Sequence, residues 1–229
     1  MYFTQSIQPF CEGRLHGIPE VYNTISSLTM FAWSIVRLQH YSNFVCWIDF
    51  FNLYNILSIN CLCSALFHAT LWSGFKQFDE MSMILPLWFG LNILIQLYTD
   101  SKQNYIIFSY IVAFINLSIL VGNSFSHLQW LFPYLFTVEI SSIIYIYHEV
   151  SKIYDDTKKE GQLGIMICSL SGIIWWTTET LCLPWMRYGH ALWHIGMPVG
   201  IDFLAKYIII ARTRKHKKIV DILGYNDIV

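Results

Sequence analysis

Seven stretches of roughly twenty mostly apolar residues follow one another along this chain, with little sequence left between them. They fall near 22–41, 45–67, 81–99, 104–122, 128–147, 162–182 and 188–210. About twenty such residues are what an α-helix needs to cross the hydrocarbon of a bilayer. The fold class that follows is an all-α membrane protein, a seven-transmembrane-helix bundle that forms one domain over 1–229. Composition agrees, since only 13% of the residues are charged, about half the ~25% usual for soluble domains.

No cleavable signal is evident. Met1–Glu20 lacks a basic stretch followed by an apolar one and instead holds Pro9, Gly13, Gly17 and Pro19. An odd number of spans puts the two ends on opposite sides. Arg37, Lys102, Lys152, Lys158, Lys159, Arg212, Arg214, Lys215, Lys217 and Lys218 fall on one side, against Arg14, Lys76 and Arg187 on the other. By the positive-inside rule the C-terminal tail, 211–229, is cytoplasmic, and the N-terminal segment, 1–20, is luminal or extracellular. Net charge is −1, which implies no nucleic-acid partner, and the basic run Arg212–Lys218 reads as a juxtamembrane topology signal. Internal repeats are not visible, and the only long polar connection is 148–161. Of six cysteines, Cys46, Cys61, Cys63 and Cys168 sit inside spans as small apolar groups. The topology brings Cys11 and Cys182 to the non-cytoplasmic face, where disulfides are permitted, so a bridge between them is expected.

The same topology gathers polar residues at one depth. Span 2 ends, and spans 3 and 7 begin, on the non-cytoplasmic side. Ser64 and His68 close span 2, Asp79 opens span 3, and His190 and His194 open span 7. Residues four apart share a helix face, so Ser64 reaches what His68 reaches, and His190 and His194 present two imidazoles together. Three histidines and an acid at one membrane level form a metal-site pattern, because ionisable groups at that depth are costly and usually functional. A catalytic zinc site uses three protein ligands and leaves a position for water. Asp79 is the candidate base and Ser64 the candidate hydrogen-bond donor to a substrate carbonyl. A serine-hydrolase triad of Ser64, His68 and Asp79 is the simpler alternative, but it leaves His190 and His194 unexplained.

Other polar residues in the spans have structural readings. Asp202 and Lys206 form an i, i+4 pair that neutralises itself. Glu139 and Glu179 are single acids expected to make structural hydrogen bonds, Asp49 is expected at the interface, and Trp175, Trp176, Trp185 and Trp193 fit an aromatic belt.

The blocks "CEG…EVYNTIS", "SALFHATLWSGFKQFDEM" and "HALWH" resemble the alkaline ceramidases, which are seven-helix members of a superfamily of intramembrane metal-dependent lipid hydrolases. The resemblance implies an amide hydrolase that cleaves ceramide-like lipids to a sphingoid base and a fatty acid. It also implies zinc (Zn2+) held by His68, His190 and His194, proton transfer by Asp79 and assistance by Ser64. Residence in the ER or Golgi membrane follows from the resemblance alone, and no obligate protein partner is inferred. A calcium (Ca2+) site near the N-terminus is implied too, with Glu12 and Glu20 as the acids that remain after Pro9 has taken the place of the leading acid. Further departures are Cys61 and Cys63 for glycines, Ser27 for an asparagine, and Ser82 for a proline. Competing readings are hydrolysis of another lipid (a phospholipid or GPI acyl chain), a seven-helix lipid receptor with structural zinc, and a haem-binding electron carrier. Transport lacks the internal repeats that would support it.

Overall fold

In a computed structural model the chain is described over residues 9–41, 47–99, 101–124, 131–155 and 158–223. Among these residues the structure is helical throughout, with α1 (Cys11–His16), α2 (Val21–Tyr41), α3 (Trp47–Thr70), α4 (Ser73–Tyr98), α5 (Lys102–Ser124), α6 (Leu131–Ile153), α7 (Lys158–Leu181) and α8 (Gly189–Leu223). A 3-10 turn, Pro184–Tyr188, links α7 to α8. The described residues therefore hold eight α-helices, where seven were expected. The addition is the six-residue α1, inside the segment read as a non-helical N-terminal stretch. Among the described residues three stretches are long and apolar enough to cross a membrane: Leu53–Thr70, Ser73–Tyr98 and Pro184–Lys215.

Several helices overrun the apolar windows. α4 begins at Ser73, so Asp79 lies inside the helix and does not precede it. α3 continues to Thr70, which places Ser64 and His68 in its last two turns. The connection expected at 148–161 shrinks, because α6 runs to Ile153 and α7 starts at Lys158. α8 spans 35 residues, about 50 Å at 1.5 Å per residue, and takes most of the tail with it. Hydropathy ends where charges begin, but helix propensity does not, and no glycine or proline interrupts residues 201–223. The expected loop residues 156–157 and the tail end 224–229 lie outside the described residues, as do residues 1–8. So do Cys46 and the side chain of Asp49.

The apolar core fills one half of the bundle. Leu53, Leu57, Leu91, Leu94, Val150 and Ile208 are buried there, from α3, α4, α6 and α8. Asp202 is clamped in that half by Arg37, whose Nε and Nη2 each donate to it at 2.7 Å, and by the Tyr54 hydroxyl at 2.6 Å. Its expected partner, Lys206, sits farther off at 3.3 Å. The ion pair thus joins α2 to α8, beyond the within-helix pair read from the sequence.

α7 and α8 approach backbone to backbone. A Cβ on Gly164 would meet the Gly200 carbonyl oxygen at 2.7 Å, and one on Gly200 would meet the Gly164 carbonyl oxygen at 2.8 Å. Small residues at such crossings let two helices pack closely where no hydrophobic effect drives them together. The same two helices carry Glu179 and His190, and beside that pair Gly189 packs against Thr178. Gly200→Ala is expected to lower stability by about 1–3 kcal/mol through overpacking. The check is thermal unfolding in detergent beside Gly90→Ala, a mid-helix position with open space around it.

Candidate metal centre

Two helix ends bring the three imidazoles together. His68 comes from the last turn of α3, His190 from the first turn of α8, and His194 from the turn after it. Their ring centroids are 4.8 Å (His68–His190), 4.9 Å (His68–His194) and 4.7 Å (His190–His194) apart. One nitrogen from each lies within 4.8 Å of the others, and this is a cluster able to hold a metal ion.

Each ring is anchored through Nδ1. His68 Nδ1 is 2.6 Å from Glu20 Oε2, with both side chains fully buried. The carboxylate keeps the proton on Nδ1 and leaves the Nε2 lone pair free. His68 Nε2 is buried without a partner, an orphaned acceptor of the kind a metal ion satisfies. His194 Nδ1 lies 3.0 Å from the hydroxyls of both Ser26 and Ser27. His190 Nδ1 accepts from the Trp175 indole N–H at 3.2 Å and also sits 3.4 Å from Glu179 Oε1. It can answer only one of these two. With Nε2 given to a metal, the proton must be on Nδ1 and directed at Glu179.

Chain turns at two helix C-termini support this arrangement. Leu71 (φ 50°) and Cys182 (φ 46°) occupy the left-handed region three residues beyond His68 and Glu179. A non-glycine residue there costs about 1–2 kcal/mol, and both close the last helical turn, with N–H bonds to Phe67 and Thr178 carbonyls. The turn after His68 exposes its carbonyl oxygen, which accepts the Glu20 N–H at 3.0 Å. Glu20 thereby grips His68 at both backbone and ring.

Ser64 and Asp79 stand beside the cluster. Ser64 Oγ is 3.3 Å from His194 Nε2 and accepts from the Ser27 hydroxyl at 3.3 Å. Asp79 is buried, with Asn60 Nδ2 3.3 Å from its Oδ1. Ser64, Asp79, His190 and His194 line one cavity of about 640 Å³, whose remaining wall is mostly apolar and aromatic. His68 is not on that wall. Its ring lies behind the other two, against Phe10 and Phe67. Trp175, Trp176 and Trp193, expected in an interfacial belt, line the cavity, while Trp185 is exposed.

The structure joins Cys11 to Cys182 by a disulfide, with Cα atoms 5.3 Å apart. Glu12 and Glu20 are both buried, yet they do not meet as a pair of ligands. Glu12 accepts the N–H groups of Tyr22 and Asn23, capping α2 from outside. Glu20 serves Phe10 N, Asn23 Nδ2 and His68. Reading the sequence did not single out Glu20 as the partner of His68, Ser26 and Ser27 as partners of His194, or Glu179 and Trp175 as partners of His190. One signal was present: Glu20 just before α2, and Asn23, Ser27 and Ser34 along it, are all buried. Polar side chains on one face of an apolar helix point to the interior.

Glu20→Gln is expected to weaken divalent-metal retention at the histidine cluster by about 10- to 100-fold. Chelator competition on purified protein reads this directly, and unchanged retention would contradict the assigned role of Glu20.

The model of the family described as Ceramidase covers residues 4–225, nearly the whole chain. No curated protein matches this sequence.

Proposed function

The chain belongs to the ceramidase family, and on that premise we propose that it is a zinc-dependent amide hydrolase of ceramide-like lipids, acting at the three-histidine cluster. The observation that carries this reading is a single cavity that is apolar along most of its wall and has His190, His194, Ser64 and Asp79 on it. Family membership supports ceramide hydrolysis in broad terms. Zinc, the residue roles and the membrane arrangement are the finer reading.

Three neutral imidazoles suit zinc and leave a position for a fourth ligand. Bound there, the ion would supply Lewis acidity toward the amide carbonyl and toward water. His68, His190 and His194 would hold it, each ring oriented through Nδ1 by Glu20, by Glu179 and by the Ser26 and Ser27 hydroxyls. The remaining tasks fall to side chains of this chain. Asp79 takes a proton from the attacking water as its oxygen bonds to the carbonyl carbon, then returns a proton to the amide nitrogen as the C–N bond breaks. The products are a fatty acid and a sphingoid base. Ser64 donates its hydroxyl hydrogen to the carbonyl oxygen as negative charge develops. Asn60 holds Asp79 in place from the adjacent turn of α3. The apolar wall, with Leu57, Met83, Leu87, Phe136 and Ile201, excludes water and accepts acyl chains.

The charge bias places the N-terminal segment and the histidine end on the luminal or extracellular side of a seven-span bundle, and the basic end of α8 in the cytoplasm. By resemblance the membrane is that of the ER or Golgi.

Asp79→Asn separates a hydrolase from a receptor that needs only structural metal. The variant is expected to keep its zinc and lose about 10²- to 10⁴-fold in kcat on a short-chain ceramide. Zinc retained with hydrolysis undiminished would overturn the assignment of Asp79, and absence of hydrolysis by wild type would overturn the amidase reading.

A further inference from the structure

The N-terminal segment closes over the histidine end without the acid cage that the family resemblance leads one to expect. Calcium takes six to eight oxygen ligands, mostly carboxylates and carbonyls with free lone pairs. Here every carboxylate oxygen of Glu12 and Glu20 already receives an N–H. Glu12 Oε1 and Oε2 take Tyr22 N at 2.7 Å and Asn23 N at 3.0 Å. Glu20 Oε1 takes Phe10 N at 2.8 Å, and its Oε2 takes Asn23 Nδ2 at 3.1 Å and His68 Nδ1 at 2.6 Å. The space is closed as well. A Cβ on Gly13 would meet Pro9 Cβ at 2.9 Å and Glu20 Cδ at 3.2 Å. Among the buried side-chain oxygens of this described segment only Asn23 Oδ1 lacks a donor, and one neutral side-chain oxygen adds little toward a calcium shell. The residues present do not fit the ion.

A fixed cation stands nearby in its stead. Arg14 Nη2 donates to the Glu179 carbonyl oxygen at 2.6 Å and to Glu179 Oε2 at 3.2 Å. The same Oε2 accepts Cys11 N at 2.8 Å. The other oxygen of Glu179 faces His190 Nδ1 at 3.4 Å. Arg14 and Cys11 belong to α1, Glu179 to α7 and His190 to α8, and the Cys11–Cys182 disulfide fastens α1 to the end of α7. We propose that this chain closes its N-terminal segment with the Arg14 guanidinium and the disulfide in place of a calcium ion, and that Arg14 is a positioning residue holding Glu179 behind His190. The second half rests on the metal centre proposed above, whereas the first does not.

The test has two arms. Wild-type protein is melted in calcium-free buffer without chelator and in millimolar calcium, and terbium is titrated as a luminescent calcium surrogate. The melting temperature should be the same in both conditions, with no saturable terbium signal. A calcium-dependent rise in melting temperature or saturable terbium binding overturns the proposal. In the second arm, zinc release to a chelator is followed for wild type, Arg14→Gln and Arg14→Lys. Arg14→Gln should release zinc about tenfold faster, and Arg14→Lys should fall between it and wild type, because it keeps the charge but not the two-point contact. Equal release from Arg14→Gln and wild type overturns the positioning role. If Arg14→Gln does not fold, the calcium arm still decides on wild type alone. Wild type that holds no zinc refutes the metal centre, and the calcium arm is unaffected by that result.

Discussion

A buried imidazole with one nitrogen unpaired is costly, and the histidine end of this bundle is organised around paying that cost at His68. Leaving a polar atom unsatisfied in a dry interior typically costs 1–3 kcal/mol. Glu20 fixes one side of the ring at 2.6 Å and leaves Nε2 bare. Two more imidazoles converge on that nitrogen from α8, each facing a different helix on its far side: α2 at Ser26 and Ser27, and α7 at Glu179. A shared cation at this cluster would satisfy His68 Nε2 and engage the two imidazoles beside it.

The surrounding architecture serves the same end. The left-handed turns at Leu71 and Cys182 stop α3 and α7 where His68 and Glu179 are needed. Close packing of Gly189 on Thr178 joins α7 and α8 beside Glu179 and His190. Phe10 covers the cluster from outside, its ring centroid 4.0 Å from that of His190. In the opposite half, Arg37, Tyr54 and Asp202 fasten α2, α3 and α8. The bundle is therefore pinned by polar contacts at both ends, with apolar packing against α4 and α6 between them.

Much of this could be read in the sequence. Apolar runs gave the helical character, and parity with charge bias led to reading His68, Asp79, His190 and His194 at one level; the structure clusters the three histidines and sets Asp79 on a cavity wall with His190 and His194. The Cys11 and Cys182 pairing came from the same reasoning. The less legible parts depend on contacts between distant elements. Glu20 reads as a loop acid until a turn at Leu71 brings it to His68. Glu179 reads as a lone buried acid until α1 supplies Cys11 N and Arg14. Helix ends were misjudged where charge and helix propensity diverge, as at Ser73 and beyond Ala211. The small helix α1 has too few residues for periodicity to show.

The central claim is that one metal ion joins α3 to α8, and metal content tests it most directly. Purified wild type, His68→Ala and His190→Ala would be compared by mass spectrometry under metal-replete conditions. The account predicts about one zinc per chain in wild type and its loss in both variants, since a three-ligand site does not survive removal of one ligand. Wild type without zinc, or a variant that keeps it in full, would contradict the shared centre.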